Sequence, residues 1–143
     1  EVPNGIPGLE TRLPLLMSRG VLDGRIDIHQ FVALTATNPA RLYGLFPRKG
    51  TIAIGSDADL VIWNQGTPTV IRNSLLHHAV DYTPYEGMEV QAWPGVTLSR
   101  GVVVWQEGTY LGRAGHGEYL QCDRPAPALI RGRGYRGPLW SKN

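Results

Sequence analysis

The sequence predicts an α+β chain, helical in its first part and built of short strands after it, and three observations carry that prediction. Capping and breaking residues punctuate the stretch from Thr11 to Gly44 at helical intervals. Alternating apolar residues separated by Gly-containing turns fill the stretch from Glu89 to Leu111. Between them lies GTIAIGSDADLVIW, from Gly50 to Trp63, a strand-turn-strand phrase that divides the two halves.

In chain order, Glu1 to Gly8 (EVPNGIPG) is a tight turning loop, with Asn4-Gly5 as its turn dipeptide and Pro3 and Pro7 stiffening it. Thr11 caps a helix from Arg12 to Arg19, Pro14 sits in the first turn where no intrahelical amide is needed, and Gly20 closes it. Asp27 with Gln30 three residues on forms a capping box, and Ile28, Phe31, Val32 and Thr35 mark one helical face. This second helix stops near Thr37. Asn38 caps a third with Pro39 in its first position, and Leu42 and Tyr43 face inward before Gly44. His29 lies among polar neighbours and reads as a surface or structural histidine.

Leu45 to Gly50 is a basic loop in which Lys49 is a solvated charge or an anion contact. Thr51 to Ile54 predicts a short strand, Gly55-Ser56-Asp57 a turn whose polar side chains bond their own backbone, and Leu60 to Trp63 a strand apolar enough to be covered on both faces. Thr69 to Arg72 is the next strand, and Asn73 to Gly87 is irregular. That connection holds His77 and His78, which as neighbours diverge and cannot easily share one metal. Four strands follow: Glu89 to Trp93, Val96 to Ser99, Val102 to Gln106 and Thr109 to Leu111, with Arg100-Gly101 and Glu107-Gly108 as turns. Val102 to Trp105 is apolar on both faces and calls for a covering layer.

Composition bounds the class. With 143 residues, 42% of them hydrophobic, the chain suits one domain or one and a part; 18 Gly and 11 Pro imply many turns. A formal charge of +2 spread along the chain argues against a nucleic-acid or membrane partner. The single Cys122 has no intramolecular disulfide partner, which fits a reducing compartment and predicts a cytoplasmic location. No apolar run reaches the roughly 18 residues of a membrane span. Residue 1 is Glu, and the opening reads as a loop already in progress, so a portion of a longer polypeptide is expected. The tail carries Arg131, Arg133 and Arg136 among glycines and Tyr135, which superficially resembles an RNA-holding segment; the plainer reading is an extended arm docked on another subunit.

Three pieces carry a resemblance: VPNGIPGLETRLPLL, then FVALTATNPARLYGLFPRKGTIAIGSDADLVIW, then HHAVDYTPYEGMEVQAWPGVTLSRGVVVWQEG. In this order they resemble the carboxy-terminal part of the D-hydantoinases and dihydropyrimidinases, cyclic amidohydrolases that open hydantoins and dihydropyrimidines, over nearly everything from Val2 to Leu120. The resemblance implies that residues 1–49 are the last loop and helices of a (β/α)₈ catalytic barrel, 50–112 part of a small β-sandwich domain, and 113–143 an extended arm. It implies that Asn4 binds the ring amide of the substrate, mainly through its backbone, and that the parent is a homotetramer. It also implies two divalent metal ions, zinc by expectation, held by residues outside this chain. Such a centre needs several histidines, a bridging lysine and an aspartate. The four His here include no His-x-His pair and the Lys residues sit at turn and terminus, so no metal ligand and no catalytic residue is expected in this chain and the chain alone is expected to be inactive. A non-catalytic dihydropyrimidinase-like oligomerisation protein stays open as an alternative, as do an allantoinase and a dihydroorotase.

Overall fold

The computed structural model describes residues 5–126. Asn4 and the tail arginines Arg131, Arg133 and Arg136 lie outside the described residues. Helix α1 begins at Arg12–Leu15 and continues without a break into a wider π-helical stretch, Leu16–Leu22. Thr11 does not cap it: its backbone is already helical, and its hydroxyl donates back to the Gly8 carbonyl at 3.4 Å. Gly20 does not end it either. Gly20 is buried against Ile26, its carbonyl accepts from the amides of Arg25 and Ile26, and the chain turns at Gly24 with φ +73°. The glycine serves the close return of the chain, so the helix stop moves past it.

The second helical segment is one rod made of α2 (Ile28–Val32), a π-helical stretch (Ala33–Thr37) and α3 (Asn38–Leu42). Its start is as the sequence indicates: Asp27 Oδ1 accepts from the Gln30 amide and Gln30 Oε1 from the Asp27 amide, both at 2.8 Å. The expected break at Thr37 is absent, and Asn38 is helical rather than an extended cap. Pro39 has no amide to donate, and the widened turn before it accommodates the missing bond. That turn also rotates everything after it by about 100°. Hence Ala40 is buried while Leu42 and Tyr43 face outward at 52% and 68% exposure, reversing the inward placement. Of the expected face on α2, Phe31 is buried and Ile28 and Val32 are largely exposed.

Residues 51–54 form no strand; Ile52 and Ile54 project into solvent from an irregular loop. The turn after them exists, closed by the Ser56 amide on the Ala53 carbonyl, but Ser56 Oγ donates to the Pro47 carbonyl rather than to its own backbone. The remaining strands form one antiparallel sheet in the order β1 (Leu60–Val70), β2 (Glu89–Ser99), β3 (Val102–Gln106), β4 (Thr109–Tyr110). The sequence divides both β1 and β2 in two. In the structure each is continuous because the two pair with each other from Leu60 opposite Leu98 to Val70 opposite Glu89, Trp63 lies opposite Pro94, and irregularities at Ile62/Trp63 and Gln65/Thr69 take up Gly95 and residues 66–68. Both hairpins carry positive φ at their two central residues, 48° and 78° at Arg100-Gly101 and 48° and 85° at Glu107-Gly108, the type I′ geometry that matches strand twist.

The core lies between α1, α2 and the β1–β2 pair. Met17, Phe31 and Ala92 are buried, with Leu13, Leu16, Val21, Ile26 and Trp63 packed on them. Phe31 meets Trp63 edge to face at 5.9 Å. Two hydrogen bonds stitch helix to sheet: the Gln91 amide to Ser18 Oγ at 2.9 Å and Arg19 Nη2 to the Glu89 carbonyl at 3.2 Å. Away from this core the sheet is partly open: Ile62 and Val102 are more than half exposed, against the expectation that Leu60 to Trp63 is buried on both sides. Among the described residues no helix is long and apolar enough to cross a membrane.

Candidate functional site

The loop that follows Asn4 is described from Gly5, and Ile6 and Leu9 on it are exposed at 61% and 83%. Its far end is tied down. The Gly8 carbonyl accepts the Arg12 amide at 3.0 Å, which starts α1. Two residues on, Glu10 Oε2 accepts the backbone amide of His77 at 2.8 Å while Oε1 lies 3.0 Å from His77 Nδ1. An ionised carboxylate only accepts, so Nδ1 carries the proton in this pair. The His77 ring in turn stands edge-on to Trp105 of β3, with centroids 5.1 Å apart.

The connection that presents His77 is irregular yet closely bonded. The Asn73 amide donates to Glu86 Oε2 at 2.7 Å, the Gly87 amide to the Ile71 carbonyl at 2.9 Å, and His78 Nε2 lies 2.7 Å from Asn73 Oδ1. Ile71 just before it and Thr83 within it are buried. The adjacent histidines thus serve different partners, His77 the loop and His78 the connection itself. Beside the Glu10–His77 pair, Trp93, Thr97, Trp105 and Tyr110 wall a cavity of about 490 Å³.

A second polar centre joins the loop after α3, the chain before β1, the β2–β3 turn and the arm. Lys49 Nζ lies 2.9 Å from Asp57 Oδ2 and also bonds Asp59; Arg48 Nε lies 3.0 Å from Asp57 and its Nη2 3.3 Å from Glu118. Arg100 holds Glu118 and the His116 carbonyl, and its amide donates to Asp59 Oδ1 at 2.8 Å. Lys49 is therefore neither a solvated charge nor a contact for an outside anion. Burial pulls its ammonium down, but hydrogen bonds to Asp59 and Asp57 outweigh that and hold it above its ordinary value. Hydrogen bonding by Lys49, and then by Arg48, holds Asp57 below the usual carboxylate range. Asp59 is also lowered, its burial being offset by Lys49 and the Arg100 amide.

The arm from residue 113 to 126 lies against this chain. The Asp123 amide donates to the Gly44 carbonyl and the Ala126 amide to the Arg41 carbonyl, each at 2.9 Å, so the segment straps the end of α3 to the sheet. Cys122 on it is exposed. Among the described residues no three His, Cys, Asp or Glu side chains group to hold an ion, and the carboxylates of Asp57 and Asp59 are engaged by Lys49. Glu10 is the residue that sequence reading missed, because its partner is 67 positions away.

A family model described as the amidohydrolase family matches residues 5–104. A D-hydantoinase of Ralstonia pickettii is 48% identical over 120 residues, which make up 84% of this chain and 26% of that protein. A D-phenylhydantoinase of Escherichia coli is 47% identical over 128 residues, 90% of this chain and 28% of that protein. The crystal structure of a dihydropyrimidinase from Brevibacillus agri matches with a TM-score of 0.85 at 43% identity, over 88% of this chain and 27% of that one. This chain spans about a quarter of the length of the curated relatives it matches.

Proposed function

The chain belongs to the amidohydrolase family, and on that premise we propose that it is the carboxy-terminal part of a cyclic amidohydrolase that hydrolyses the ring amide of hydantoins or dihydropyrimidines. The observation that carries this reading is the near-half identity to a D-hydantoinase across most of the chain, joined to a matching fold. In this reading Asn4 offers its backbone groups to the ring amide, and the following loop, stiffened by Pro7, keeps those groups from collapsing onto the chain. The two helical segments close the outside of a catalytic (β/α)₈ barrel, and the sheet belongs to a small β-sandwich domain. In the same reading the whole enzyme is a homotetramer and is cytoplasmic. In the whole enzyme two divalent metal ions, zinc by preference, would supply Lewis-acid chemistry at the amide. In this reading their ligands belong to polypeptide other than these residues. The 143-residue chain by itself turns over no cyclic amide.

A chimera tests the reading. The aligned 120-residue segment of the Ralstonia pickettii D-hydantoinase is replaced by this chain's, and the product is assayed with hydantoin and dihydrouracil beside the chain alone. Turnover by the chimera and none by the chain is expected. A correctly assembled, metal-loaded chimera without turnover overturns the proposal, and so does turnover by the isolated chain in added Zn²⁺.

A further inference from the structure

We infer that Glu10 is a positioning residue for the substrate loop, locking the described end of that loop to the 73–87 connection through His77 and so setting where Asn4 meets the ring amide. The inference rests on the substrate-binding role proposed for Asn4 above. Its geometry is independent of that role. Both oxygens of one carboxylate are engaged, one by a backbone amide at 2.8 Å and one by a ring nitrogen at 3.0 Å, and a bond to a backbone amide persists whatever the tautomer of the ring. The far partner is itself fixed, because Trp105 of β3 stands against the imidazole and the connection behind it is closed by the Asn73–Glu86 and Gly87–Ile71 hydrogen bonds. Glu10 sits between the Gly8 carbonyl and the first helical residue, Arg12, so it acts where the loop passes into a rigid element.

The energetic setting favours positioning over stabilisation. The Glu10 side chain is 31% exposed and that of His77 61%, and ion pairs this wet add little to global stability. What such a bidentate contact does is narrow the loop's range of positions. A substrate-binding group displaced by about 1 Å loses much of its contribution.

The test uses Glu10→Ala and Glu10→Gln, the latter keeping an acceptor for the His77 amide. Hydrogen exchange is followed in the 143-residue chain, and KM and kcat in the chimera. For Glu10→Ala, the amides that tie the loop end, Arg12 on the Gly8 carbonyl and His77 on Glu10, are expected to exchange about tenfold faster while those of β2 are unchanged. KM should rise about tenfold with kcat within about twofold, the mark of lost uniform binding. Glu10→Gln should fall between wild type and Glu10→Ala in both, and it decides alone if Glu10→Ala does not fold. Unchanged loop exchange and KM would overturn the inference, and so would faster exchange spread over the whole chain. Exchange needs no turnover, so a wild-type chimera without activity sinks the proposed reaction while the anchor is still decided.

Discussion

Substituting Gly44 by alanine should cost far more than the same change at Gly24, although the two glycines share one backbone conformation. Their φ angles are +66° and +73°, so alanine meets the left-handed penalty of about 1 kcal/mol at both. The surroundings differ. A β carbon at Gly24 has nothing within 4 Å, whereas at Gly44 it would stand 2.0 Å from the Asp123 carbonyl oxygen and 2.5 Å from its carbon. Those are backbone atoms that no rotamer change can remove, so the strap must lift. Lifting it breaks the Asp123-to-Gly44 hydrogen bond and strains the Ala126-to-Arg41 bond beyond it, each contributing about 1 kcal/mol net. Gly24→Ala should therefore cost about 1 kcal/mol and Gly44→Ala about 3 kcal/mol. At about 3 °C per kcal/mol for a chain of this size, the gap is about 6 °C in Tm. Asparagine at each position separates the contributions further, since it tolerates positive φ: Gly24→Asn should be near neutral and Gly44→Asn should stay costly. Denaturant titration of the four variants reads the difference. Gly44→Ala and Gly24→Ala agreeing within about 0.5 kcal/mol would show that the strap does not bear on Gly44.

Three further outcomes rest on other contacts of the fold. The Lys49–Asp57–Asp59 junction should make stability depend on pH at both extremes. The lowered carboxylates contribute fully above their ordinary value of 3.8 and lose that contribution as pH falls through their folded values, while the raised ammonium contributes fully below 10.5 and loses it as pH rises past its folded value; Lys49→Met should flatten both limbs of a Tm-against-pH curve, and identical limbs would exclude the junction. Phe31→Ala removes the ring packed on Trp63 and the buried Met17–Ala92 cluster, so unfolding titrations should show a loss of about 3 to 5 kcal/mol. The solvent-facing apolar side chains Ile52, Ile54 and Ile62, beside the edge strand β1, should drive concentration-dependent association of the isolated chain, and Ile62→Lys should reduce it in light scattering.

What could be read from the residues alone was set by interactions between near neighbours. The Asp27–Gln30 capping box closes within one turn, and Arg100-Gly101 and Glu107-Gly108 build their turns from two adjacent backbone conformations, so the local residues suffice. The order of helices before strands and the kinship to cyclic amidohydrolases were likewise legible, because both lie in the residues themselves. Tertiary structure alone decided where elements end and what the polar side chains do. Gly20 looked like a stop until Ile26 returned against it, Pro39 looked like a start until the widened turn carried the helix through, and β1 and β2 became continuous only by pairing with each other. Lys49 found Asp57 and Asp59, and Glu10 found His77, by chain closure over distances that no local spacing encodes. A short-range hydrogen bond needs only the conformations of the residues it spans, whereas a long-range one requires the whole intervening chain to be in place first.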